Sequence, residues 1–163
     1  VGQEIERKFL VNGDEWRQGV CTTIRQGYLS AEKAYTVRVR TKADEASGDP
    51  HAFLTIKGAS NGAARAEYEY EIPVADADEL LDTLCRRPLI EKRRYTVEHA
   101  GMTWEVDEFF GDNQGLIVAE IELTTPEQSF VNPPWLGAEV TGDSRYFNAA
   151  LVQRPYNTWP KNS

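Results

Sequence analysis

A strict two-residue alternation constrains this chain more than any other feature. Residues 4–11 read Glu-Ile-Glu-Arg-Lys-Phe-Leu-Val. Successive side chains of an extended strand point to opposite faces, so Glu4, Glu6 and Lys8 share one face while Ile5 and Phe9 share the other. A polar strand face normally looks at water and is chemically unremarkable. Here two carboxylates stand one pleat apart, an arrangement that repels unless a cation sits between them.

The alternation recurs over Ile24–Ser30, Tyr35–Thr41, Ala52–Gly58, Arg65–Pro73, Ile90–His99, Met102–Phe109 and Leu116–Thr124. Turn-forming residues separate these runs, as in Ser60-Asn61-Gly62 and His99-Ala100-Gly101. The pattern predicts a mainly β fold with few helices, an eight-stranded antiparallel barrel that is closed or nearly closed. A helix is expected over Val74–Arg87, with Asp76 as its cap, Leu80, Leu81 and Leu84 as its apolar stripe, and Pro88 as its stop. A second is expected over Asp143–Val152, and short helical turns near Asp14–Gly19 and Pro126–Phe130. No repeat or linker divides the 163 residues, so 1–163 reads as a single domain.

Sorting each strand by parity exposes the chemistry. Arg38 and Arg40 share a face, as do Thr55 and Lys57, Lys92 and Arg94, Glu105 and Asp107, and Glu120 and Glu122. Arg65, Glu67 and Glu69 share another. Two orientations fit these faces: a solvated outside, or the wall of a polar tunnel. Surface strands mix polar residue types, whereas these faces repeat like with like, which favours the tunnel. Burying ions costs several kcal/mol each unless they are paired. Like-charge clusters then call for a ligand of both signs, divalent cations for the acids and a polyanion for the bases. In that orientation the outward apolar positions need cover from the helices and from a second subunit, so a homodimer is expected. Arg7, Arg17, Arg86, Arg87 and Arg93 fall on the other parity or on helices and read as surface charge.

A net charge of −8 and a pI near 4.8 argue against nucleic acid and against an anionic membrane surface as partners. They leave room for a small anion in a local basic cluster. Cys21 and Cys85 have neither zinc-site nor disulfide-framework spacing, which suits reduced thiols in a cytoplasmic protein. No secretion leader or membrane span is expected, since no apolar run approaches about 18 residues. His51 and His99 stand alone, which disfavours histidine-based chemistry.

The motifs occur in a recognisable order: Glu4-Ile5-Glu6-Arg7-Lys8, Arg38-x-Arg40, Thr55-Ile56-Lys57, Arg65-x-Glu67-Tyr68-Glu69, Glu91-Lys92-x-Arg94-Tyr95, Trp104-Glu105-Val106-Asp107 and Glu120-Ile121-Glu122. This series resembles the CYTH superfamily, the triphosphate tunnel metalloenzymes, and within it the small bacterial inorganic triphosphatases. The resemblance implies a tunnel that binds a small-molecule triphosphate with Mg²⁺ or Mn²⁺. The implied reaction is hydrolysis of inorganic tripolyphosphate to diphosphate and phosphate. An adenylyl cyclase of the class IV type, a thiamine or nucleoside triphosphatase, and a non-catalytic triphosphate-binding module are the alternatives. By the resemblance, Glu4, Glu6, Glu120 and Glu122 are metal-ligand candidates, with Asp107 next. Glu67 and Glu69 would bind a second metal or orient basic neighbours. Arg38, Arg40 and Arg94 would offer forked donors to phosphate, and Lys8, Lys57 and Lys92 point charges, with Arg65 and Arg145 as additions. Tyr28 and Lys92 would pair as the base that activates water.

Overall fold

A computed structural model describes residues 2–160; residues 1 and 161–163 of the expected domain lie outside the described range. One nine-stranded sheet organises the chain. Its strands are β1 (Gly2–Val11), β2 (Val20–Ala31), β3 (Tyr35–Asp44), β4 (Pro50–Gly58), β5 (Ala64–Ile72), β6 (Ile90–His99), β7 (Met102–Phe109), β8 (Ile117–Glu122) and β9 (Leu136–Glu139). They run in the order β5-β4-β3-β2-β6-β7-β8-β1-β9, with every pairing antiparallel. A further pairing of β5 with β1 closes eight strands into a barrel and leaves β9 as an extra strand. β1 is the seam: residues 2–5 pair with β5, residues 6–10 with β8, and Phe9 and Val11 with β9. The tight β6–β7 hairpin needs positive φ at both central residues, and Ala100 (φ 48) and Gly101 (φ 79) supply it.

Most of the apolar core lies outside the barrel wall. Phe9, Trp104 and Trp135 meet edge to face, with ring centroids 5.7 Å apart in both the Phe9–Trp104 and Trp104–Trp135 pairs. Trp16, on a short 3-10 turn over Glu15–Gln18, packs against Tyr95 at 5.1 Å. Helix α1 (Val74–Thr83) seats Ala77 and Leu81 on Val39 and Ala52 of β3 and β4. Burying a leucine side chain of this kind contributes about 1.5–3 kcal/mol. Tyr35, Tyr68 and Tyr70 remain exposed on the outer face.

The interior is not charged throughout. Helix α2 (Asn148–Gln153) packs Leu151 and Val152 against Ile90, Phe109 and Val118, three residues with the parity of the charged face. One end of the barrel is therefore stoppered with hydrocarbon. Several local expectations need correction. Pro73, not Asp76, precedes α1, which ends at Thr83 rather than Arg87. Asp76 lies in the first turn, where an acid complements the helix dipole. The second helix is shorter than expected, a 3-10 turn over Ser144–Tyr146 followed by α2. Residues 126–130 form no helix. β9 escaped the period-two reading because it spans only four residues and includes Gly137, whose missing side chain lets the Leu10 carbonyl approach within 2.9 Å of where a Cβ would stand.

Candidate active site

The charged strand faces converge inside the barrel on a cavity of about 640 Å³. Glu4, Glu6, Lys8, Tyr28, Arg38, Arg40, Lys57, Arg65, Glu67, Glu69, Lys92, Arg94, Glu120 and Glu122 all line it. Register explains the grouping. Lys8 sits opposite Glu120 and Glu6 opposite Glu122 across β1 and β8, while Arg38 and Thr36 face Thr55 and Lys57 across β3 and β4.

The acids fall into two sets. Glu4 accepts from the Lys57 ammonium with both oxygens at 2.9 Å, and Lys57 also lies 3.5 Å from Glu67. Glu69 accepts from Thr55 at 2.9 Å and lies 3.6 Å from Arg38. Glu67 and Glu69 thus stand against basic neighbours. Glu6 and Glu120 form the second set. Burial and the facing Glu120 push the Glu6 carboxyl well above its usual range. Burial would also raise Glu120, but Lys8 and the hydrogen bond from Glu6 hold it well below that range. The two carboxyls are thus driven in opposite directions.

The bases are deeply buried. Arg94 donates to both oxygens of Asp107 at 2.8 and 2.9 Å, and Lys92 lies 2.7 Å from the same carboxylate. Burial pulls Lys8 down, but Glu120, Glu6 and Asp107 together lift it above the usual ammonium range. Burial lowers Lys92 to about 7 against the pull of Asp107, with Arg94 and Arg40 pressing the same way. Burial, then Arg38 and Arg94, lower Arg40 to about 9. Arg38 donates to Thr55 at 3.2 Å, and its buried Nε has no partner in the protein. A buried guanidinium with an unmatched donor is poised for an acceptor from outside the chain. Arg65 donates from Nε to the Gly58 carbonyl at 3.1 Å.

Three of the expected site residues are placed apart from the rest or from each other. Asp107 is 1% exposed and does not line the cavity, and Arg94 and Lys92 occupy both its oxygens. In this arrangement it braces the two cations. Arg145 lies outside the chamber, exposed, bound to Asp143 at 2.7 Å and stacked near Trp159. Tyr28 and Lys92 line the same cavity without a hydrogen bond between them among the described residues. In the β2–β6 register Lys92 lies opposite Ile24, four residues from Tyr28.

Sequence reasoning also missed polar members of the site. Gln26 has the parity of Tyr28 and sits opposite Arg40, so sorting β2 by parity would have found it. Glu105 lines the cavity 3.4 Å from Arg94. Asn148 carries no local signal, because it reaches the chamber only through the packing of α2.

Among the described residues no three acidic, histidine or cysteine side chains already converge as a ready-made metal site. The donor chemistry nevertheless fits a hard divalent cation. Glu6 and Glu120 offer carboxylate oxygens that repel one another, and Glu4 and Glu122 add to the negative field there. A divalent cation between them would satisfy both carboxylates.

Comparison with known proteins agrees with this arrangement. The CYTH domain family model matches residues 2–156. The chain is 49% identical over 162 residues to an inorganic triphosphatase of Acetivibrio thermocellus, covering 98% of this chain and 99% of that protein. It is 36% identical over 153 residues to an inorganic triphosphatase of Nitrosomonas europaea, covering 91% and 96% respectively. A crystal structure of an inorganic triphosphatase superposes with a TM-score of 0.64 at 34% identity, covering 91% of this chain and 97% of that one. The match spans the barrel, the converging charges and α2, and the chain belongs to the CYTH domain family.

Proposed function

We propose that this protein hydrolyses inorganic triphosphate to diphosphate and phosphate with Mg²⁺ or Mn²⁺. The observation that carries the reading is the buried grip of Arg38 and Arg40, in which Glu69 lies 3.6 Å from Arg38 but Arg40 is held by the neutral amide of Gln26. Among the described residues no acid lies within 4 Å of Arg40, and Arg38 keeps a donor unmatched. A short linear polyanion supplies the missing acceptors.

Phosphoryl transfer asks for positioning and charge neutralisation more than for covalent chemistry. Arg38, Arg40, Arg94, Lys8 and Lys57 hold phosphate oxygens, and Arg65 stands at the same wall. Glu6 and Glu120, flanked by Glu4 and Glu122, would hold the metal, which neutralises phosphate charge and polarises water when bound. Lys92, with its pKa near 7, can lose its proton near neutrality and accept one from the attacking water. Tyr28 presents its hydroxyl to the same chamber beside Lys8 and Arg40 and orients that water. Full-length similarity to two inorganic triphosphatases supports the choice of substrate.

The test is phosphate release from tripolyphosphate, ATP and thiamine triphosphate, each with Mg²⁺ or Mn²⁺ and each after chelation. Tripolyphosphate is expected to be the preferred substrate and chelation to abolish turnover. A preference for a nucleotide by about tenfold (about 1.4 kcal/mol), or formation of cyclic AMP from ATP, would overturn the reading.

A further inference from the structure

Two neutral amides connect two of the buried cations. Asn148 Oδ1 accepts from Lys92 Nζ at 2.9 Å and from Gln26 Nε2 at 2.8 Å. Gln26 Oε1 accepts from Arg40 Nε at 2.7 Å. The direction of this chain is chemically forced. Arg40 can only donate, so Gln26 must present its oxygen to Arg40 and its N–H₂ to Asn148, which in turn offers its oxygen to both Gln26 and Lys92. Gln26 is fully buried, so its amide cannot be satisfied by turning towards bulk water.

Other buried bases are held by acids, Lys57 by Glu4 and both Arg94 and Lys92 by Asp107. A carboxylate at position 26 would hold Arg40 equally well but would cancel its charge. An amide satisfies the donor and leaves the charge for a ligand. We propose that Gln26 and Asn148 form a positioning relay that fixes Arg40 and Lys92 for a phosphate chain without neutralising Arg40. The relay also ties α2, which stoppers the barrel, to the cations that grip the substrate. The proposal deepens the triphosphatase reading and rests on it.

The test compares Gln26→Met, Asn148→Ala, the double variant and Gln26→Glu in tripolyphosphate hydrolysis with Mg²⁺, alongside thermal melting. Gln26→Met keeps bulk and deletes both hydrogen bonds; Asn148 is partly exposed on a short helix, so its variant preserves the fold even where a change at Gln26 does not. Each single change is expected to raise KM about ten- to hundredfold, the range for losing a hydrogen bond to a charged group, with kcat changing less. The double variant is expected to lose no more than the worse single variant, because either change breaks the same relay. Gln26→Glu is expected to raise KM further while melting no lower than Gln26→Met. A merely structural role lowers the melting temperature and leaves KM in place. Unchanged KM in Asn148→Ala and Gln26→Glu, or losses that multiply in the double variant, would overturn the relay. Wild-type protein inert towards tripolyphosphate sinks the functional reading instead; calorimetric binding of tripolyphosphate by the same variants then decides the relay by the same criteria.

Discussion

Asp107 shows how a single residue can hold a site together without touching substrate. Burial alone would raise its carboxyl, but Arg94 and then Lys92 hold it at about 2. A folded-state pKa below the unfolded one contributes stability that is present above about 3.9 and is lost as pH falls through about 2. Asp107→Asn leaves Lys92 and Arg94 buried without their counter-charge, a loss of about 3–5 kcal/mol. Urea unfolding of wild type and variant is expected to show that gap at pH 7 and a narrowing gap as pH falls from 4 towards 2. A gap constant across that window would remove the ion-pair account. Lys92 gives a second prediction at this scale. Its ammonium is lowered to about 7 chiefly by burial, so the neutral amine populates as pH rises through 7. The kcat/KM of the free enzyme should rise with pH around that value, and Lys92→Arg should abolish that acid limb by keeping a fixed charge. An identical pH profile in the variant assigns proton transfer elsewhere.

Among the elements, β2 shows what placing the site demands of the backbone. Gln26 and Tyr28 face the chamber, so Gly27 between them faces outward, against the chain that follows α1. A Cβ at Gly27 would stand 2.7 Å from Cys85 Cβ and 2.7 Å from a Leu89 methyl. Gly27→Ala should therefore destabilise the protein by about 1–3 kcal/mol through overpacking, measured as a lower urea midpoint with little change in its slope. An unchanged midpoint would mean that the segment after α1 moves aside freely. Much of this scale was legible in the sequence. Period-two alternation locates β1 and β3 to β8 because each presents two chemically distinct faces over six or more residues. It was blind to β9, four residues with a glycine, and to the early start of β2 at Val20. The start of α1 at Val74 was legible, but its cap was not, because Pro73 precedes the helix where Asp76 had been expected to cap it.

For the whole molecule, parity separated wall from lining, but only closure of the barrel could say which charges meet. Asp107 reads like Glu120 in the sequence, with the same parity and charge. The fold puts Asp107 beneath the Arg94 and Lys92 head groups and Glu120 against Glu6. Asn148 was illegible because its role comes from the packing of a C-terminal helix across the barrel end. The assembled chamber gathers buried bases beside its acids in a chain whose net charge is −8, and those buried charges are held against a desolvation cost. This predicts a conflict between stability and function at Arg40, buried and 7% exposed with a neutral amide as its partner. Replacing an uncompensated buried charge with hydrocarbon of similar length removes its desolvation penalty, which is several kcal/mol per ion. The unpaired Gln26 oxygen gives back about 1–3 kcal/mol of that gain. Arg40→Met should thus unfold at a urea concentration no lower than wild type in the absence of ligand. With tripolyphosphate at a hundred times its Kd, wild type should gain about 2.7 kcal/mol by linkage. The variant at the same concentration should gain less than half of that, and its hydrolysis should fall by about two orders of magnitude, the loss expected when a charge-assisted grip is removed. A variant less stable than wild type without ligand would show that Arg40 contributes to the fold, and that the chamber is not held open for an anion at the expense of stability.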